Sequence, residues 1–316
     1  MTPRERILAA LRFEPYEGAV PHYELEFQIT EEVFGRRALR RDDVDALTPE
    51  TRRDALVANA QLWIDVAERF DYSVITGLHW LPLEEQIESF QLVRELSGDR
   101  FMLSAYVDGT QAIPDGPGFA ELSYRIADDP DAVLAEFDAG CDRAIEYGRH
   151  LVEGGAEIIF MCADYCLNQG PFLSPNMFRK FVTPFLKRQT DAFHAMGAMP
   201  VKHTDGNMWP ILDQLIETKP TAFHSVDPMA GMDIAKVREA VGRDIALMGN
   251  VDCSRLQSGT KEEIEASARY CLEHGPIDGT GYVYASSNCI FMGVPFESYQ
   301  TMLAVRDDWN RAHGRA

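Results

Sequence analysis

A His-X-Asp, His203-Thr-Asp205, closes the apolar run Met199–His203, and Cys289 stands at the far end of the chain in Ser-Ser-Asn-Cys. Imidazole and thiolate are both zinc donors, and residues two apart on a strand point the same way. His203 and Asp205 are therefore expected to face one space. Cys289, with Asp227 or His224 from the next run, could complete a tetrahedron around a metal ion there. The alternative on spacing alone is a metal-free His–Asp hydrogen-bonded pair beside a packed thiol. Carboxylates come next. Glu24 and Glu26 share one face of an early run with His22, and Asp164 follows another run. Buried carboxyls of this kind serve as general acids or bases, while solvated ones are rim charges.

Other residues carry weaker signals. Cys162 and Cys166 flank Asp164 at a spacing better suited to packing than to metal, and Cys253 sits in a turn after Gly249-Asn-Val-Asp252. His79-Trp80 could border a pocket. Lys202 neighbours His203 but alternation sends it to the opposite side. There is no G-x-S-x-G, which argues against a serine nucleophile.

These residues need elements to position them. Eight short apolar runs are expected as strands: 20–27, 72–77, 101–107, 157–162, 199–203, 222–226, 245–249 and 281–285. Between most of them lie segments of helical period: 56–70, 132–153, 175–196, 208–217, 234–241, 261–274 and 295–312. A first helix over 3–12 takes Thr2 as its N-cap and Pro3 at its first position. The alternation predicts an α/β fold with parallel strands in right-handed βαβ units. At this length it points to a single (β/α)8 barrel domain spanning residues 1–316, with residues 81–100 forming a hairpin or lid after the second strand. No G-x-G-x-x-G follows the first strand and no G-x-x-x-x-G-K-[ST] occurs anywhere, so nucleotide-binding sheets lose support. Barrel chemistry sits at the C-terminal ends of the strands. Those ends supply Glu26, Trp80, Asp164, Tyr165, His203, Asp205, His224, Asp227, Asn250, Asn288 and Cys289.

The chain holds 30 basic and 50 acidic residues, a net charge of −20. This disfavours nucleic acid as a partner and favours neutral or cationic ligands. No apolar run is long enough to span a membrane, and no signal segment is seen at the N-terminus. The expectation is a cytoplasmic protein whose six cysteines are free thiols.

The sequence resembles the uroporphyrinogen decarboxylase superfamily over nearly its whole length. The resemblance runs from Pro3-Arg-Glu-Arg-Ile-Leu-Ala-Ala-Leu-Arg12 through Ala163-Asp-Tyr165, Leu173-Ser-Pro175 and Phe181-Val-Thr-Pro184. Its most specific parts are His203-Thr-Asp-Gly206, Gly231-Met-Asp233, Met248-Gly-Asn-Val-Asp252 and Gly281-Tyr…Asn288-Cys289…Pro295. Within the superfamily it is most similar to the corrinoid-dependent methyltransferase branch. The porphyrinogen decarboxylases carry arginines after the first strand, where this chain reads Pro21-His-Tyr-Glu-Leu-Glu-Phe27 with two acids and no arginine. The resemblance implies the barrel, and zinc held by a His-X-Cys and a later Cys. Here His203 and Cys289 match, and Asp205 replaces the first thiolate. A harder, more Lewis-acidic site follows, better suited to an oxygen or nitrogen leaving group than to a thiol. The implied reaction is demethylation of a small methyl ether (O-demethylation) or methylamine, with the methyl passing to cobalt(I) of a corrinoid (cobalamin) carried by a partner protein.

On that reading His203, Asp205, Asp227 and Cys289 hold the metal, and Glu26 or Asp164, with His203, handles the proton. Trp80, Tyr165, His224, Asn250 and Asn288 line the substrate. Two rivals are a decarboxylase-like carbon–carbon lyase and a non-catalytic homologue that binds a ligand or the corrinoid protein. A homo-oligomer is compatible with the sequence.

Overall fold

The computed structural model describes residues 1–315. Its strands are β1 (Val74–Ile75), β2 (Met102–Tyr106), β3 (Ile158–Met161), β4 (Cys166–Leu167), β5 (Gly170–Pro171), β6 (Met199–Thr204), β7 (Ala222–Ser225), β8 (Ala246–Met248) and β9 (Tyr282–Val283). Seven of them form one curled parallel sheet in the order β1-β2-β3-β6-β7-β8-β9. Strands β4 and β5 make a small antiparallel hairpin just beyond β3. Helices fill the crossovers, as parallel neighbours require.

The expected first strand, 20–27, is irregular. It forms isolated bridges only: His22 lies parallel to Tyr72 on one side and to Tyr284 on the other, and Phe27 lies parallel to Ile290. The Ser73 N–H donates to the His22 carbonyl at 2.6 Å, and the Tyr284 N–H donates to the Pro21 carbonyl at 2.9 Å. Pro21 has no N–H of its own to extend the ladder. The seven-stranded sheet thus meets this segment at both of its edges.

Strand alternation divides the apolar side chains into two groups. Tyr23, Val74, Met102, Phe160, Val201 and Ala246, with their neighbours, pack on the inner face. Ile75, Leu103, Ile159, Phe223 and Leu247 face the helices in the larger core. The inner group mixes Phe160 and Met248 with Ala222, Ala246 and Ala285, which suits the narrow space inside a curled sheet.

Most helices fall where periodicity places them, and Thr2 makes a capping box with Glu5 at the first. Three differences have physical causes. Residues 81–100 form neither hairpin nor lid: Leu83–Ser97 is a helix packed on Pro49–Phe70. Its inner face includes Glu85, Gln86 and Ser89, and these polar residues interrupt the apolar period that would have revealed it. The segment 175–196 is two helices, Pro175–Phe181 and Thr183–Ala195, because Pro184 lacks the donor for a continuous ladder. Two short helices, Thr30–Phe34 and Arg41–Asp45, precede Pro49 and had no sequence signal. Among the described residues no helix is long and apolar enough to cross a membrane.

Candidate active site

Strands β6 and β7 run parallel with His203 directly opposite His224. Val201 belongs to the inner group, so His203, two residues on, shares that face, and the two rings meet with their Nδ1 atoms 2.7 Å apart. Both are buried. Lys202 points the other way, as expected. Its Nζ lies 2.8 Å from Asp108 and donates to the Ala163 and Met161 carbonyls at 2.8 and 3.1 Å. The same Asp108 accepts the Ala163 N–H at 3.0 Å. This buried pair fixes the backbone leading from β3 into Asp164.

Beyond β6 the chain turns at Asp205-Gly206. Gly206 has φ +83°, and a Cβ there would lie 2.2 Å from the Cys166 carbonyl oxygen, so only glycine fits. The turn brings the Asp205 N–H to Asp164 Oδ1 at 3.0 Å. Asn288, after β9, donates to Asp205 Oδ2 at 2.5 Å. His203 Nε2 then stands 3.8 Å from Asp164 and 3.9 Å from Asp205. One donor atom from each of Asp164, His203 and Asp205 lies within 4.8 Å of the others. An imidazole and two carboxylates converging this way fit a divalent cation of borderline to hard character.

Electrostatics at the cluster favour a positive charge. Burial pushes the Asp205 carboxyl above its ordinary pKa, and the charges of Asp164 and Asp227 add to the effect against the opposing pull of His203. Burial, followed by His203, holds His224 well below the usual imidazole value. A cation would relieve the crowding of carboxylates.

Asp205 opens onto a cavity of about 360 Å3 that Asp227, Cys253, Asn288, Cys289 and Phe291 also line. Asp227 and Cys289 thus share the cavity but not the tight cluster. The Asp227 carboxylate accepts the Met229 and Gly206 N–H groups at 2.9 and 3.2 Å. Burial pushes the Cys289 thiol far up, with nearby acids contributing.

The remaining expected residues lie elsewhere. Glu26 binds His79 at 3.1 Å and Gln28 at 2.6 Å. Burial alone would raise its pKa, but these hydrogen bonds prevail and it lies below the ordinary value. His79 stacks on Tyr106 with ring centres 3.8 Å apart. Trp80 packs on Trp63 under the Arg40 guanidinium and lines a second cavity, of about 460 Å3. Tyr165 is fully buried with its hydroxyl on Thr110, and Lys202 lies over its ring. Asn250 is tied to the Val226 carbonyl and the Cys271 thiol. His22 and Glu24 are also buried: His22 bonds the Tyr284 carbonyl and the Tyr299 hydroxyl, while Glu24 accepts from Ser286. The Asp108–Lys202 pair has no signal in the sequence, where Asp108-Gly109 reads as an ordinary turn.

This curled parallel sheet, with its acids and histidines at the strand ends, has counterparts. Residues 114–309 match the uroporphyrinogen decarboxylase (URO-D) family, and the chain belongs to it. Methylcobamide:CoM methyltransferase MtaA of Methanosarcina barkeri is 26% identical over 228 residues, covering 71% of this chain and 63% of that protein. MtbA of Methanosarcina mazei is 31% identical over 151 residues, covering 46% and 41%. The uroporphyrinogen decarboxylase of Aliivibrio salmonicida is 26% identical over 212 residues, covering 64% and 55%. The chain therefore spans less than two thirds of the length of each relative. A solved methyltransferase from Methanosarcina mazei shares the fold, with a TM-score of 0.76 at 20% identity over 98% of this chain and 99% of that one.

Proposed function

We propose that this chain is a methyltransferase that moves a methyl group from a small methyl ether or methylamine to a corrinoid held by a partner protein. The observation that carries the reading is the Asp164–His203–Asp205 cluster beside a cavity, in a family whose similar members include methylcobamide methyltransferases. We read Asp164, His203 and Asp205 as the holders of a divalent cation, with zinc the first candidate and Cys289 and Asp227 in reserve across the same cavity. Such an ion acts as a Lewis acid on the leaving oxygen or nitrogen.

The chain's own residues do the rest. Asn288 holds the Asp205 carboxylate in one orientation, and the Asp205 amide does the same for Asp164. Burial raises the Asp205 carboxyl in the ion-free site, but a cation there would hold it ionised, and Glu26 is held ionised by its own hydrogen bonds, so neither carboxyl is a ready proton donor to a departing alkoxide or amine. The acidic lining attracts a methylammonium head group. The segment around His22, touching both sheet edges, would serve as the eighth stave of the barrel.

Decarboxylase relatives favour a second reading, carbon–carbon cleavage of a carboxylic acid. Against it, among the described residues no Lys or Arg lines the cavity beside the cluster, so a polycarboxylate would meet like charge without counter-charge.

The test is metal analysis of the purified protein and of His203→Ala and Asp205→Asn after zinc reconstitution, followed by assay with methyl ethers and methylamines plus cobalt(I) corrinoid. Near-stoichiometric zinc in the parent protein alone, with methyl transfer, is the expected result. Absence of bound metal would sink the zinc-assisted reading. Carbon dioxide release without corrinoid would replace methyl transfer with the lyase.

A further inference from the structure

The His203–His224 contact limits where the protons of the pair reside. Two ring nitrogens 2.7 Å apart hold one hydrogen between them, since two N–H groups would clash and two lone pairs would repel. With both rings neutral, two arrangements remain. In the first, His224 donates from Nδ1, and His203 carries its own proton on Nε2, toward the carboxylates of Asp164 and Asp205. In the second, His203 donates from Nδ1 and aims a bare Nε2 lone pair at those carboxylates. His224 then has its N–H at Nε2, and that buried atom has no acceptor at hydrogen-bond distance, the Ser286 backbone exerting only a minor pull on the ring. The second arrangement orphans a buried donor and sets a lone pair against two anions. The first leaves only a bare nitrogen lone pair without a partner.

We propose that His224 is the positioning residue of His203: it holds His203 in the Nε2–H form when no cation is present, and both rings exchange tautomer when a cation takes Nε2. Metal-bound histidines keep their remaining ring proton on the other nitrogen and donate it to a fixed acceptor. Here that acceptor is His224 Nδ1. The exchange balances. His203 Nε2 gives up its proton, the proton on His224 Nδ1 crosses to His203 Nδ1, and His224 gains one at Nε2. The pair has the same charge before and after. His224 therefore lies behind the site and is not a contact for substrate. The second half of this inference rests on the proposed cation site; the first half does not.

The test uses the full-length protein with 15N-labelled histidine, followed by two-bond proton–nitrogen NMR before and after zinc(II), beside His224→Phe and His224→Asn. The ion-free protein should show His203 as the Nε2–H tautomer and His224 as the Nδ1–H tautomer, with both exchanged at zinc saturation. Chelator competition should show zinc affinity lowered on the order of 10–100-fold in His224→Phe and largely restored in His224→Asn, whose amide can turn to accept. Any other tautomer pattern in the ion-free protein, including a doubly protonated His203, would overturn the proposal. So would unchanged zinc affinity in a folded His224→Phe. If His224→Phe does not fold, the parent and His224→Asn spectra decide. If zinc does not bind at all, the cation site fails, and the ion-free spectrum still judges the His224 assignment.

Discussion

Asp205 carries the charge balance of the cluster, and its neighbours define what replacing it does. Its pKa is raised in the folded chain by burial and by Asp164 and Asp227. A carboxyl raised in this way favours folding below its unfolded pKa, and that contribution disappears as pH climbs through the folded value. Asp205→Asn should therefore raise the melting temperature of the ion-free protein at pH 7. It should also abolish the further rise that zinc gives the parent, and thermal denaturation with and without zinc checks both. Asn288 donates to Asp205 at 2.5 Å. Asn288→Ala should weaken zinc binding roughly 10–100-fold, the usual loss when a ligand's outer hydrogen bond is removed, as measured by chelator competition. The sequence offers Glu26 or Asp164 as the acid that protonates the leaving group. Sequence could not show that His79 and Gln28 hold Glu26 ionised, because those contacts depend on how the segment at 77–80 folds back.

At the level of elements, β6 organises the site from both of its faces. One face carries His203, and the other carries Lys202 into a buried pair with Asp108. Lys202→Met should destabilise the fold by about 3–5 kcal/mol, because Asp108 is left buried and unpaired. Adding Asp108→Asn should recover part of the loss in urea denaturation. Gly206→Ala should cost stability and cation binding together, since the new Cβ must displace the Cys166 carbonyl and Asp205 rides on the same turn. The parallel strands, the alternation that separates Lys202 from His203 and the placing of most of the long helices, though not of Pro117–Asp128, were readable in the sequence, for they follow from apolar period alone. The helix at 83–97 was not, because its buried face is partly polar. Nor was the grouping of Asp164 with His203 in preference to Cys289, which depends on loop paths that periodicity does not specify.

For the whole molecule, two buried groups set a stability profile. Burial lowers His22 to about 3 and raises Glu24 to about 8. The His22 contribution is lost as pH falls from its unfolded value near 6.5 toward 3. The Glu24 contribution is lost as pH rises from near 4.5 toward 8. Between about 4.5 and 6.5 the two slopes cancel, so stability should show a plateau there and decline on either side. Glu24→Gln should flatten the alkaline decline, which amounts to a few kcal/mol, in denaturant titrations from pH 5 to 9. His22 also gives the fold a temporal order. It is the residue that both edges of the sheet bridge to, yet its partners stand fifty residues onward at Tyr72 and 262 residues onward at Tyr284. On a ribosome the segment emerges 262 residues before the strand that completes it. The nascent chain carries an open sheet edge while the intervening residues are made. Such an edge is a natural client for chaperones, and a translational pause placed within that interval would prolong its exposure.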